Sequence, residues 1–255
     1  AWRDGEEYRL LPGNETGVLL LAFICSQKTK HGTMPKDPVL IKSVVTTDLA
    51  GRIAKRYGVR TVNVLTGFKY IGEQISSLEQ KGCVDSFLFG FEESCGYLSG
   101  SHVRDKDGIN ACLLICEMFS YYRSRGISLL QRLEQLYKEH GCLIHTVCSF
   151  AFEGSQGFAR MQKTMAALRT AGSSGLIGPL GGCRVLEFLD YSGGLDGLPG
   201  ADMVKLCLTG GSSVIVRPSG TEPKLKLYIS AAGPEEAAAR RLEQRITEDI
   251  KQQLG

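Results

Sequence analysis

The sequence predicts an α/β fold, a three-layer, mostly parallel sheet domain followed by a smaller α+β domain with an antiparallel sheet. Three observations carry this reading. Apolar, β-branched runs alternate with helix-length segments from Val39 to the Tyr137-Lys-Glu-His140 helix end, the pattern of strands joined by crossover helices. Further on, Lys224-Leu-Lys-Leu-Tyr-Ile-Ser230 alternates apolar and polar residues with the period of a half-buried strand. Between these regions, nine of the 31 glycines lie from Gly172 to Gly200, a density that marks long turns rather than helices.

Residues 5–11 read as the end of a strand, and Pro12-Gly13-Asn14 as a turn in which the Asn14 side chain caps a helix buried through 18–24. Val39–Val45 is a strand, followed by Thr47 as N-cap of a helix over 48–57. Val59–Leu65 is the next strand, and Thr66-Gly67 turns into a helix near 70–80. Ser86–Phe91 is a short apolar strand, 92–107 a charged, glycine-containing loop, and 108–124 and 128–139 are helices. In the second half, strands are expected near 143–151, 183–189, 203–208, 213–217 and 224–230, with a helix near 156–169. A last helix opens at Pro234 with two glutamates and carries Leu242, Ile246 and Ile250 on one stripe. The domain boundary falls near Gly141. This gives 1–10 as the remnant of a preceding domain, 11–141 as the α/β domain and 142–255 as the α+β domain.

Composition limits the function. With 30 Lys+Arg against 27 Asp+Glu and no basic stripe, nucleic-acid or membrane-surface binding has no electrostatic support. There is no apolar run long enough to span a bilayer and no signal peptide, so a cytoplasmic location is expected. The nine cysteines include no CxxC pair and sit mostly in apolar runs, which predicts reduced, buried thiols. The four histidines are not spaced for a zinc site. The chain lacks an initiator methionine and so reads as beginning inside a longer polypeptide.

In an open parallel sheet, ligands bind beyond the carboxyl ends of the strands. Those ends are Thr46-Thr47, Thr66-Gly67-Phe68-Lys69 and Gly90-Phe-Glu-Glu-Ser-Cys-Gly96. The adjacent carboxylates Glu92 and Glu93 are either a solvated turn or, with Ser94, a pair of acceptors gripping sugar hydroxyls; the residues alone leave both open. Ser101-His-Val-Arg-Asp-Lys-Asp-Gly108 is either a helix N-terminus capped by Asp107 or a site in which Arg104 and Lys106 meet a phosphate or move a proton, one of them held by Asp105. Arg217-Pro-Ser-Gly-Thr-Glu-Pro-Lys224 concentrates a guanidinium, two hydroxyls and a central glycine between strands. That is a donor set suited to a phosphate, weighed against an ordinary polar hairpin.

The ordered motifs TGFKYIG (66–72), FGFEESCGYL (89–98), HVRDKDG (102–108) and VRPSGTEPKLK (216–226), with LLPGNETGVLLL (10–21), resemble the C-terminal half of the phosphoglucomutase/phosphomannomutase family, the α-D-phosphohexomutases. The likeness covers essentially the whole chain and looks closest to bacterial phosphoglucomutases and animal phosphopentomutase-like relatives. The resemblance implies a four-domain enzyme that interconverts hexose 1-phosphate and 6-phosphate, glucose foremost, through a bisphosphorylated sugar. A phosphoserine in the first domain and Mg²⁺ in the second serve the transfer, and glucose 1,6-bisphosphate is the intermediate and activator. Carried over by motif, Glu92 and Ser94 bind sugar hydroxyls with Gly67 and Lys69 alongside. Arg104 and Lys106 face the reacting side, Lys106 as a proton carrier. Arg217, Ser219, Gly220 and Thr221 hold the distal phosphate, with Lys224 nearby. Neither the serine loop nor the aspartate loop occurs in 1–255, so the resemblance implies a fragment, inactive by itself, whose partners are the sugar phosphate and the N-terminal domains of the same polypeptide. The alternative is a non-catalytic sugar-phosphate-binding regulatory module.

Overall fold

A computed structural model of the chain describes residues 2–4, 7–220 and 222–254. It divides into two units, Ala1–His140 and Gly141–Gly255. The first contains β1 (Trp2–Asp4), β2 (Glu7–Arg9), α1 (Gly13–Lys30), β3 (Val39–Ser43), α2 (Leu49–Arg56), β4 (Arg60–Val64), α3 (Phe68–Gln80), β5 (Phe87–Glu92), β6 (Gly96–Leu98), α4 (Gly108–Arg123) and α5 (Leu129–His140).

The apolar runs of β3 and β5 are buried at every position because helices cover both faces of their sheet. The strand order is β4-β3-β5-β6; β3 pairs in parallel with β4 and β5, and β6 closes the edge antiparallel to β5. Val39, Ile41 and Phe87 pack with Phe68, Ile71 and Ile75 of α3 on one face. The other face receives α1, where a side chain on Gly17 would collide with the Phe91 ring. Phe89, Phe91 and Tyr97 stack across the hairpin on this unit.

Three expectations are corrected here. Asn14 does not cap α1: Pro12, with φ −57° and ψ 158°, occupies the N-cap position, and the buried Asn14 side chain instead accepts from the Thr47 N–H at 3.0 Å. At α2 the residue before Leu49, Asp48, is already helical and makes no side-chain cap bond, and the expected capping bond is made by Thr47, whose hydroxyl accepts from the Leu49 N–H at 3.1 Å. The expected loop over 92–107 contains a strand, β6, reached through a three-residue hairpin in which Cys95 takes φ +65°. That turn needs its last residue in the left-handed region, and a cysteine there gives no turn signal in the sequence. Finally, all nine cysteines are free, but only Cys25 and Cys142 are buried while Cys95, Cys112 and Cys116 are exposed. The apolar run of α4 has an outward side, with Ile109 and Leu113 also exposed, and so its thiols are not all in the core.

The second unit is β7 (Cys142–Ala151), α6 (Gly157–Ser173), β8 (Val185–Asp190), β9 (Val204–Leu208), β10 (Ser213–Pro218), β11 (Lys224–Gly233) and α7 (Glu236–Leu254). Its sheet is antiparallel throughout, in the order β7-β11-β10-β9-β8. Leu225, Leu227 and Ile229 point alternately into one core with Val214, Val216, Val204 and Leu206, closed by Met161, Met165 and Leu168 of α6 and Ile246 and Ile250 of α7. Each fully buried Leu, Ile or Met contributes about 1.5–3 kcal/mol of transfer free energy, so this alternating set holds the unit without disulfides. Both strands that carry the Arg217–Lys224 loop, β10 and β11, are interior strands of this sheet.

Candidate functional site

In the first unit the site grows from the ends of β4 and β5. β5 is apolar until its last residue, so Glu92 leaves the sheet still buried, 7% exposed. Its Oε1 accepts from the Gly67 N–H at 2.7 Å, and Oε2 has no hydrogen-bond partner among the described residues. Gly67 stands at φ +127°, a conformation that L side chains rarely adopt, so the glycine is required for its amide to meet Glu92. Burial pushes the Glu92 carboxyl above the ordinary value of 4.5. The Gly67 bond opposes that rise and the neighbouring Glu93 charge adds to it.

Glu93, which the sequence left open as a solvated turn residue or one of two sugar acceptors, is turned the other way. Its Oε2 lies 3.3 Å from the Thr46 hydroxyl and 3.4 Å from the Ser43 hydroxyl, a pair 2.8 Å apart of which one donates to the other and the remaining one to the carboxylate. Ser94 is exposed and has no partner among the described residues, so its hydroxyl is open to solvent. Thr66, beside Gly67, carries an enclosed hydroxyl oxygen with no hydrogen-bond partner among the described residues. The sequence placed Thr66 at a ligand-facing strand end but gave it no role of its own.

The charged stretch splits in two. Asp107 caps α4 by accepting from the Ile109 and Asn110 N–H groups, both at 3.0 Å, and pairs with His102 at 3.0 Å. The Lys106 charge acts on Glu92, opposing the rise in its pKa, while its Nζ lies 5.7 Å from the Phe68 ring centroid and donates to Asp105 at 3.1 Å. Bonds from the Lys106 backbone and side chain hold the Asp105 carboxyl below its ordinary value. Arg104 is engaged with α3, donating to Glu79 at 2.6 Å, to the Ser76 hydroxyl at 3.2 Å and to the Ser101 carbonyl. Lys69 is exposed, with its ammonium 4.7 Å over the Tyr70 ring.

In the second unit, Arg217 is half-buried near the end of β10 opposite Lys226, and its guanidinium has no partner among the described residues. The Ser219 N–H donates to the Lys224 carbonyl at 2.8 Å, closing the turn, and Lys224 Nζ pairs with Glu222 at 2.5 Å. Gly220 is exposed. Thr221 lies outside the described residues. Two cations and a hydroxyl on one short loop provide the charge-assisted donors that an anion requires.

Among the described residues, no three His, Cys, Asp or Glu side chains converge to hold a metal ion. No ligand set for Mg²⁺ is therefore found among them. No helix among the described residues is long and apolar enough to cross a membrane.

A family model described as phosphoglucomutase/phosphomannomutase, alpha/beta/alpha domain III, matches residues 12–140, and one described as phosphoglucomutase/phosphomannomutase, C-terminal domain, matches 187–248. The chain is 32% identical over 238 residues to a phosphoglucomutase of Staphylococcus haemolyticus, covering 89% of this chain and 41% of that protein. It is 30% identical over 247 residues to a phosphopentomutase of Mus musculus, covering 91% and 39%. Among solved structures, the open form of the Paramecium phosphoglucomutase parafusin shares the fold, with a TM-score of 0.68 at 18% identity over 96% of this chain and 42% of that one. The chain thus spans about two fifths of the length of the curated relatives it matches.

Proposed function

The chain belongs to the phosphoglucomutase/phosphomannomutase family, and from that premise we propose that it is the sugar-recognising and phosphate-binding part of a phosphohexomutase. The reaction is interconversion of hexose 1-phosphate and hexose 6-phosphate through a bisphosphorylated sugar, with glucose the preferred hexose. The observation that carries this reading is Glu92: a buried carboxylate with one oxygen fixed by the Gly67 amide and the other left to accept from a hydroxyl. Oε2 is not among the enclosed unpartnered oxygens, so it is reached from outside and is open to a hydroxyl while Oε1 holds the carboxylate in place.

Each residue then has a part in binding or proton movement. Glu92 and Ser94 hold sugar hydroxyls, while Gly67 fixes Glu92 and Lys69 lies along the same loop. Lys106, held by Asp105, is the group that moves a proton at Nζ on the sugar side. Arg104 acts by bracing the 101–106 segment on α3, since its donors are already engaged. Arg217, Ser219, Gly220, Thr221 and Lys224 hold the phosphate that is not reacting, the guanidinium by bidentate contact. The phosphoryl donor, the Mg²⁺ ligands and the handling of glucose 1,6-bisphosphate fall to the N-terminal domains of the longer protein.

A phosphorus NMR time course tests this, with the chain, glucose 1-phosphate, Mg²⁺ and a trace of glucose 1,6-bisphosphate. The expected result is broadening of the glucose 1-phosphate resonance with no glucose 6-phosphate formed. An unbroadened resonance at high protein concentration overturns the binding assignment. A growing glucose 6-phosphate peak, with contaminating mutase excluded, places the chemistry within these residues and overturns the division of labour.

A further inference from the structure

Glu92 can act as a fixed acceptor only if the hairpin that carries it is held still, and the partners that hold it, at Gly13, Ser43 and Thr46, lie outside the 89–98 motif. Three segments far apart in sequence close into a ring of polar contacts. The Tyr97 hydroxyl donates to the Gly13 carbonyl at 3.0 Å, joining the hairpin to the start of α1. The Thr47 N–H donates to Asn14 Oδ1 at 3.0 Å, joining the start of α1 to the β3–α2 turn. The Thr46 and Ser43 hydroxyls lie 3.3 and 3.4 Å from Glu93 Oε2 and bond each other at 2.8 Å, so one donates to its neighbour and the other to the carboxylate, joining that turn back to the hairpin.

The turn itself is stiff. Ser43 Oγ and Thr46 Oγ1 are 2.8 Å apart, and both residues are buried, 0% and 2% exposed. Beneath them Lys42, 2% exposed, donates to the Thr46 carbonyl at 3.0 Å, the Ser43 carbonyl at 3.4 Å and Asp48 at 3.2 Å. A buried ammonium is tolerated only with its donors engaged, so this lysine locks the carbonyls of the turn that presents the two hydroxyls.

We propose that Thr46, with Ser43 and Glu93, is a positioning device that sets the Glu92 carboxylate against Gly67, so that the β3–α2 turn tunes sugar affinity without touching the sugar. The functional half of this rests on the reading of Glu92 as a sugar ligand; the positioning half does not. Thr46→Val removes the hydroxyl at nearly constant volume, and Thr46→Ser keeps it.

The test reads two signals on the full chain for both variants. The first is hydrogen exchange at the Gly67 amide, the donor to Glu92, with the Phe89 amide in the middle of β5 as control. Thr46→Val is expected to speed exchange at Gly67 about threefold to tenfold, the equivalent of one neutral hydrogen bond, with Phe89 unchanged and Thr46→Ser close to wild type. The second is titration with glucose 1-phosphate and with inorganic phosphate. Thr46→Val should weaken only the sugar phosphate, by a similar factor, and Thr46→Ser should restore it. No change at Gly67, or an equal change at Phe89, overturns the positioning role. Faster Gly67 exchange in a chain whose wild type binds no sugar phosphate upholds the positioning role and instead removes the sugar reading of Glu92. Equal affinities of Thr46→Val and wild type for glucose 1-phosphate, with Gly67 exchange altered, overturn the link to affinity.

Discussion

The two loops proposed to bind ligand are built on opposite plans. The Glu92–Cys95 hairpin is pinned by side chains: Glu92 to the Gly67 amide, Glu93 to a hydroxyl pair, Tyr97 to the Gly13 carbonyl. The Arg217–Lys224 loop is closed by backbone hydrogen bonds and one exposed ion pair, and its guanidinium has no partner among the described residues. The difference follows from what each must bind. A sugar hydroxyl on the Glu92 carboxylate makes a single charge-assisted hydrogen bond of about 1.5–3 kcal/mol, too little by itself to offset ordering a hairpin at the moment of binding, so its acceptor has to be fixed beforehand. A phosphate takes several such bonds at once from basic side chains, enough to order them on arrival.

The largest way to break this contrast is at Gly13. A Cβ there would overlap the Glu93 carbonyl oxygen, which is backbone and cannot swing aside. Gly13→Ala is expected to cost about 3 kcal/mol, the upper end for overpacking. Urea denaturation measures this, and titration of the variant under native conditions should show sugar-phosphate affinity lost with inorganic phosphate affinity kept. Next in size is the other loop. Arg217→Ala should weaken phosphate binding by about 2 kcal/mol while leaving the urea midpoint in place, because its charge is not used to hold the fold. A shifted midpoint with unchanged phosphate affinity would reverse the assignment. Third, Asp107→Ala removes the side-chain cap of α4 and should lower the urea midpoint by less than Gly13→Ala does. Since the Asp107 N–H also bonds the Tyr97 carbonyl at 2.9 Å, the backbone anchor survives, and sugar affinity should change less than in Gly13→Ala.

What the sequence revealed follows the same contrast. The strands β3, β5, β10 and β11 were legible because burial on one or both faces writes itself as apolar runs or alternation. The donor-rich loop was legible as a candidate, because Arg217 and Lys224 stand out by composition and Arg217 has no partner among the described residues. The pins were not. Glu93 differs from Glu92 only by one position, and which carboxylate faces inward is decided by Ser43 and Thr46, 50 and 47 residues away. Asn14 carried a strong local capping signal that lost to a partner 33 residues distant. Lys42 sits in an apolar run as if it were an exception, and only the fold shows the carbonyls that accept from it. β6 was hidden because its turn uses Cys95 where glycine or asparagine would have advertised it.

The smallest effect separates a site from a merely well-packed turn, and it comes from pH. Burial raises the Glu92 pKa above 4.5 in the folded chain, so the folded state holds this proton more tightly than the unfolded state does. The corresponding stability is fully present below pH 4.5 and is lost as pH rises through the raised folded value. Glu92→Gln keeps a neutral side chain at every pH. Wild type should therefore match or exceed the variant in acid and lose ground to it as Glu92 ionises, in urea midpoints measured from pH 4 to 8. Sugar affinity should run in the opposite direction, because the ionised carboxylate is the better acceptor. Wild type gains affinity for glucose 1-phosphate over the same interval in which it loses stability, and Glu92→Gln shows neither slope. A residue serving only the fold would gain nothing in binding as its charge became costly. Parallel slopes, with affinity and stability both falling as pH rises, would make Glu92 structural and leave the phosphate loop as the one binding element of the pair.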